Sequence, residues 1–254
     1  MGWLCLESGA SQRPSKVVYD RAGSAFTELA PGEIDWDAIF AGKQWFHWSG
    51  TVPALGKNAE AVMREACQSA KKHGLTVSCD LNYRSKLWSI DQASKAMTGL
   101  MPFVDVLIGG REDASSLLLE GEEPPASQNQ TALDRAKWTA TRLHQKYGFR
   151  YVASTLRSGF SADENSLGGL LFDGTDFHTS ESYQMRIVDR VGGGDAYSGA
   201  LIHALLTGMP PQRAVSFAAA ASCLKHSIHG DFNHASLQEV EALVQGSSGG
   251  RIQR

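Results

Sequence analysis

Residues 186–208 read RIVDRVGGGDAYSGALIHALLTG, so that Gly192, Gly193, Gly194 and Asp195 stand between a short apolar run and a helical one. Adjacent glycines permit backbone conformations and close approaches that a Cβ blocks. At a helix start the first N–H groups are unpaired and the dipole end is positive, so an anion such as a phosphate could come against this backbone. Asp195, placed just behind, could accept a proton from an attacking hydroxyl, or it could simply be the N-cap of a glycine-rich turn. Two other phosphate-binding patterns fail. SGTVPALGKN (49–58) has five residues between its glycines and no Ser or Thr after Lys57, so it is no P-loop; in GGGDAY, Tyr197 holds the place of the last glycine of G-x-G-x-x-G.

The elements that must position these residues follow from periodicity. WLCL (3–6) and VVY (17–19) around the polar GASQRPSK predict a hairpin. NAEAVMREACQSAKKH (58–73) puts Ala61, Met63, Ala66, Cys67 and Ala70 at helical spacing, and Gly74 stops it. LTVSC, FVDVLIG and FRYVAST read as strands, alternating with helices in DQASKAMTGLM, EDASSLLLE and TALDRAKWTATRLHQKY. STLRSGF is expected to be the loop after FRYVAST, and GGLLF and MRIV to be strands, the second running straight into the glycines. Helices over 195–207, 211–226 and 236–244 follow, with SSGGRIQR as a frayed tail. This alternation means a mainly parallel sheet covered by helices, an α/β protein.

Composition narrows the function classes. A net charge of −3 gives no field for nucleic acid or an anionic membrane, so an anionic substrate must be held by a few placed cations. Four widely spaced cysteines without a CxxC pair predict free thiols in a reducing compartment. No apolar run approaches the ~18 residues of a membrane span, and MGWLCLESGASQRPSK lacks the basic and apolar regions of a signal peptide; the expected location is cytoplasmic. His226, His229 and His234 beside Asp231 lack tight ligand spacing and predict no zinc site. WFHW predicts core packing, since nothing basic is interleaved with it.

DRVGGGDAYSGAL resembles the D-T-x-G-A-G-D-x-F motif of the ribokinase-like (PfkB) sugar kinases. RPSKVVYDRAGSA (13–25), DLNYRSKLW (80–88) and LKHSIHGDFN (224–233) narrow the resemblance to the branch that phosphorylates an acidic keto sugar, 2-keto-3-deoxygluconate, with ATP. It runs from about residue 2 to about residue 243, and the set of four motifs is far more specific than any one of them.

The resemblance implies a three-layer ribokinase-like sandwich with a β-hairpin lid over 1–24, a kinase core over 25–246 and a flexible tail over 247–254. It makes Gly192, Gly193 and Gly194 an anion hole and Asp195 the base. It puts the sugar acid near Tyr19, Arg21 and Arg84, with Asp195 and Asp231 at the hydroxyls; an arginine fork pairs well with a carboxylate. On the ATP side it implies Asn82, Thr155, Arg157, Ser158, Gly159 and Ala219, with Mg2+ arriving on the nucleotide. It also implies a homo-oligomer through the hairpin. The alternatives are a kinase of a neutral sugar such as fructose, and a non-catalytic remnant that binds nucleotide or a partner chain.

Two departures accompany it. The family's portion ahead of the hairpin, with its first strand and a Gly-Gly…Asn sugar contact, has no counterpart in the sequence, and weakened kinase activity or none is therefore expected. Where many members carry N-x-x-E, this chain has GRED, with Gly110 at the asparagine position and Asp113 at the acidic one.

Overall fold

The computed structural model describes residues 3–20, 23–125 and 130–246, without the side chains of Trp3, Leu4 and Tyr19; Arg21 and the expected tail over 247–254 lie outside the described residues. The chain divides into two compact units, one of Met1–Cys5, Val18–Ser154 and Phe172–Asp176, the other of Leu6–Val17, Thr155–Leu171 and Phe177–Arg254. The hairpin forms as β1 (Trp3–Glu7) and β2 (Lys16–Asp20), a sheet of its own.

In the first unit, two short helices, α1 (Ala25–Glu28) and α2 (Trp36–Phe40), precede β3 (Trp45–Ser49). Then α3 (Lys57–Lys72), β4 (Thr76–Asp80), α4 (Ile90–Leu100), β5 (Val106–Ile108), α5 (Arg111–Leu118) and α6 (Ala132–Tyr147) alternate as expected. β3, β4, β5 and the start of β6 (Tyr151–Gly159) pair in that order, all parallel, with Trp48 opposite Cys79 and Leu107 opposite Val152. Residues 77–79 and 106–108 are buried on both faces, as central parallel strands require. α3 turns Val62, Met63, Ala66, Cys67 and Ala70 inward, and Gly74 ends it at φ +72°. WFHW packs as expected: Trp48 is buried, and Phe46 meets Trp36 and Phe40. Burial pushes the Cys67 thiol up to about 12 and Cys79 well above its usual value; all four cysteines are free.

β6 continues into the second unit, and here the structure corrects the sequence reading. STLRSGF is not a loop: Thr155–Gly159 extend the strand into a hairpin with β7 (Glu164–Phe172), closed by the Phe160 N–H on the Glu164 carbonyl at 2.9 Å. The Ser161 hydroxyl accepts the Glu164 N–H at 2.9 Å, so the turn is made by a side chain at 161, later than the glycine that marked the expected loop. β8 (Phe177–Thr179) follows, then β9 (Tyr183–Arg186), which runs antiparallel to β7. β9 therefore ends before the predicted MRIV does. The Ile187 N–H bonds the Asp163 carbonyl at 2.7 Å and the Val188 N–H bonds the His226 carbonyl at 2.8 Å, which turns the chain out of the sheet.

Two helices, α7 (Gly193–Leu206) and α8 (Pro211–Lys225), pack face to face, and α9 (Leu237–Val244) lies against α8. The run Ala218–Ala221 is buried, and such small side chains let helices approach closely. Among the described residues no helix is long and apolar enough to cross a membrane.

Candidate active site

α4, α6 and α9 each begin with a capping box, from Ser89, Thr131 and Ser236 respectively. α7 does not. Its N-cap is Gly192, in the left-handed region at φ +76°, and no side chain caps it. The Gly193 N–H reaches the Arg190 carbonyl at 3.4 Å and the Ala196 N–H the Gly192 carbonyl at 2.8 Å. Between them, the N–H groups of Gly194 and Asp195 have no partner among the described residues. Asp195 is thus inside the first turn and does not cap it; its exposed carboxylate makes no hydrogen bond or ion pair among the described residues.

The three glycines have different reasons to be glycine. A Cβ on Gly192 would collide with the Asp231 carbonyl, and one on Gly193 would collide with the His226 ring. A Cβ on Gly194 would meet nothing within 4 Å. The fold needs the first two, and the third leaves open space beside two unpaired N–H groups.

The last turn of α8 fixes this loop from below. The Ser222 hydroxyl donates to the Gly193 carbonyl at 2.7 Å, and His226 Nδ1–H donates to the Ser222 carbonyl at 2.6 Å. Burial holds His226 below its usual value; the bond to Ser222 opposes this, and the charges of Arg157, Arg190 and Lys225 add to it. Lys225 is wholly buried and donates to the Ile228 carbonyl at 3.0 Å. Asp189 accepts the N–H groups of Val191 and Gly230, each at 2.9 Å. Burial works against its charge, yet those two bonds, with Lys225 and His229, keep the carboxylate below its ordinary range. Asp189 therefore ties the glycine loop to the segment that carries Asp231.

From Asp195 a groove of ≈ 580 Å³ runs along α7, past Ala196, Gly199, Ala200 and His203. These positions recur every three or four residues and so share one face. Phe217 and Ala221 of α8 form a second wall; Asp231, Phe232, Asn233 and Ala235, with Leu237 and Val240, form a third. A Cβ on Gly199 would also meet nothing within 4 Å, so the groove wall is left open there. The volume falls within the roughly 300–1,000 Å³ of small-molecule sites.

The groove brings together Gly192, Asp195 and Asp231 of the sequence-predicted residues, with Gly193 and Gly194 at its head. Ala219 is wholly buried and off the groove wall, which α8 makes with Phe217 and Ala221 instead. Thr155 is half-buried, while Arg157, Ser158 and Gly159 are exposed on β6, and none of the four lines the groove. In the first unit, Asn82 has φ +39° and donates through Nδ2 to the Ser49 hydroxyl at 3.0 Å. Arg84 is exposed and faces Asp113. Burial raises Asp113 above the usual carboxylate range; Arg84 opposes the rise, Glu112 adds to it, and the Tyr83 N–H opposes it. Gly110 is the N-cap of α5, and a side chain there would start in open space. The Tyr19 side chain and Arg21 are outside the described residues.

Sequence reasoning missed the apolar end of the groove, His203, Phe217, Leu237 and Val240. The signal it could have used is Ala196, Gly199 and Ala200 continuing the Asp195 face of α7 at helical spacing, a stripe of small residues.

A helix opening on glycines, an unpaired carboxylate in its first turn and a groove along its face, all in an α/β chain, make a site with backbone donors for an anion and room for a small molecule. The sequence profile of the pfkB family carbohydrate kinases matches residues 4–235, and the chain belongs to that family. Among solved structures it resembles the 2-dehydro-3-deoxygluconokinase of Thermotoga maritima, at 44% identity and a TM-score of 0.91, over 97% of this chain and 73% of that one. The 2-dehydro-3-deoxygalactonokinase of Haloferax volcanii is 33% identical over 98% of this chain and 72% of its own length. The 2-dehydro-3-deoxygluconokinase of Thermoproteus tenax is 26% identical over 91% of this chain. The chain spans 64% of the length of that last relative. The fold is the ribokinase-like α/β fold, a mainly parallel mixed sheet with a separate small hairpin.

Proposed function

We infer that the protein is a sugar-acid kinase that transfers the γ-phosphoryl group of ATP to the 6-hydroxyl of 2-dehydro-3-deoxygluconate. The observation that carries this reading is the pair of N–H groups at Gly194 and Asp195, which have no partner among the described residues and stand where a Cβ on Gly194 would meet nothing within 4 Å. In phosphoryl transfer, charge builds on the transferring group while the attacking and leaving oxygens lie in line, so positioning and electrostatics do most of the catalysis. Backbone donors held in place at the α7 N-terminus would meet that charge without having to reorganise. Asp195 takes the hydroxyl proton as the sugar oxygen forms its bond to phosphorus and the bond to the ADP oxygen breaks. With no partner for it among the described residues, both carboxylate oxygens are available for this.

ATP fits the groove because open space at Gly194 and Gly199 would seat phosphate and ribose, and His203, Phe217 and Leu237 offer apolar and aromatic surface beyond. Magnesium is assigned to the nucleotide's phosphates, since that ion keeps its waters and needs only one or two protein carboxylates. Bound there, it neutralises phosphate charge.

Arg84 is assigned to the sugar carboxylate, with Tyr19 and Arg21 joining it on the strength of the motifs they belong to; Asp231 is assigned to a sugar hydroxyl. A sugar acid is favoured over a neutral sugar because the exposed Arg84 guanidinium offers a donor fork that suits a carboxylate. The relatives from Thermotoga maritima and Haloferax volcanii are named for two different 2-dehydro-3-deoxy sugar acids, so both are test substrates. The experiment is ADP release with each sugar acid and with fructose. Turnover of a sugar acid that disappears in Asp195→Ala supports the reading; turnover of fructose alone, or of nothing, sinks it.

A further inference from the structure

We propose that the groove grips the donor's purine by its faces and does not read its edge, so that guanosine and inosine triphosphates serve as phosphoryl donors alongside ATP. This rests on the reading of the groove as the donor site. The far end of the groove is walled on three sides by α7, α8 and α9. Interior residues of a helix spend their N–H groups on one another, and the Ala221 carbonyl is turned to Asn233, so Ala200, Phe217 and Ala221 offer a base mainly side-chain surface. Spare helical N–H groups remain at Leu237 and Gln238, in the first turn of α9, where Ser236 and Glu239 satisfy only each other. A donor there finds an acceptor on either purine, since N3 and N7 are common to adenine and guanine.

Discrimination between adenine and guanine needs a fixed donor or acceptor opposite position 6. Two neutral polar side chains line the groove, Asn233 and His203. Asn233 spends one lone pair and one N–H on its neighbours, Oδ1 accepting the Ala235 N–H at 3.0 Å and Nδ2 donating toward the Ala221 carbonyl at 3.5 Å; the donor and the acceptor site that remain suit a carbonyl or an amino group alike. His203 makes no hydrogen bond through its ring among the described residues, and its ring lies 5.7 Å from that of Phe217. A neutral imidazole donates from one nitrogen and accepts at the other, and exchanging tautomers swaps them. It therefore suits an amino group or a carbonyl at position 6 equally. The 2-amino group of guanine needs an acceptor, and water at the mouth supplies one, since Phe232 is 78% and Leu237 51% exposed.

A site that hydrogen-bonds a unique group rejects the analogue without it by several orders of magnitude, whereas an apolar pocket rejects a near-isostere by about 100-fold at most. Calorimetric titration of the full chain with ADP and with GDP should give dissociation constants within about tenfold, the range of an apolar contact difference. His203→Phe keeps an aromatic face and removes both ring nitrogens; it should leave the ADP to GDP ratio unchanged. Turnover with ATP, GTP and ITP on the sugar acid should follow the same order. GDP binding more than about 100-fold weaker than ADP overturns the proposal. So does a ratio that shifts in His203→Phe, or failure of both diphosphates to bind. Comparable binding of both diphosphates without turnover of any sugar leaves the unread purine edge standing and removes the donor role together with the kinase reading, so the grip of the groove and the kinase reading fail separately.

Discussion

Replacing Gly194 with alanine sets stability against catalysis in one residue. The position is in the first turn of α7, its φ is compatible with a side chain, and a Cβ would touch nothing within 4 Å. Glycine-to-alanine changes at such sites stabilise by about 0.4–1 kcal/mol, mainly by restricting the unfolded chain. For a chain of this length that amounts to a rise in Tm of roughly 1–4 °C. The same methyl group would occupy the space through which a phosphoryl group reaches the N–H groups of Gly194 and Asp195. Loss of one preorganised backbone donor costs about 3–4 kcal/mol of barrier, or about 10²–10³ in kcat. Gly193→Ala is the control: its Cβ would strike the His226 ring, so it should lose stability by about 1–3 kcal/mol as an overpacked site. The assay is thermal melting beside ADP release under saturating sugar acid. A Gly194→Ala protein that melts higher and turns over at the parent rate would show that the open space serves nothing, and the anion-hole argument would be refuted.

Asp195→Asn should lower kcat by about 10²–10⁴, the usual worth of a general base, while calorimetry still shows ADP binding. Arg84→Ala should raise KM for the sugar acid about 10- to 100-fold through loss of charged hydrogen bonds, with KM for ATP nearly unchanged, and Arg84→Lys should recover part of it. Because Arg84 also opposes the upward shift of Asp113, the carboxyl signal of Asp113 should titrate at still higher pH in Arg84→Ala, measured by carbon NMR. His226 is held below 6.5, so the unfolded chain takes up the proton first: its contribution to stability is complete above that value and is lost as pH falls toward the depressed folded value. Melting temperature should therefore drop from pH about 7.5 to about 5.5, and less steeply in His226→Asn, whose amide can still donate to the Ser222 carbonyl.

The amphipathic helices were legible because each carries its own punctuation. α6 has the Thr131 capping box, a buried stripe from Ala136 to Leu143 and Gly148 at φ +73° to end it. The second unit was harder. α7 and α8 are apolar or small nearly all round, so periodicity does not separate the face that packs from the face that lines a groove; Ala219 and Ala221 are two residues apart, and only Ala221 reaches the groove. The β6 extension was missed because Arg157, Ser158 and Gly159 are exposed and show no alternation, the strand being held by pairing with β7 more than by burial. β9 was displaced by two residues because Ile187 and Val188 look like strand, yet their N–H groups go to Asp163 and His226. The motif residues Gly192 to Asp195 could be placed at a helix start from sequence. Which of the glycines the fold needs could not, since the answer depends on Asp231 and His226, far along the chain.

That dependence explains why the loop can hold its shape. Irregular backbone is costly to bury unless every polar group finds a partner. The N–H groups of Ile187, Val188, Asp189, Val191 and Gly193 are met by the carbonyls of Asp163, His226 and Arg190 and by the Asp189 carboxylate, and the Gly193 carbonyl is met by Ser222. Much of this framework comes from the last turn of α8, where Ser222, Lys225 and His226 are all buried. Two adjacent N–H groups without a partner among the described residues stand at Gly194 and Asp195, where the glycine without a packing reason also stands. A loop pinned at so many of its own groups holds the Gly194 and Asp195 donors in place, with little freedom to relax onto other partners. Preorganised donors stabilise developing charge more than mobile ones do, because no reorganisation is needed at the moment of reaction. Loosening the framework should therefore lower kcat before it unfolds the chain, and Ser222→Ala, which releases the Gly193 carbonyl alone, is the smallest change that separates the two effects.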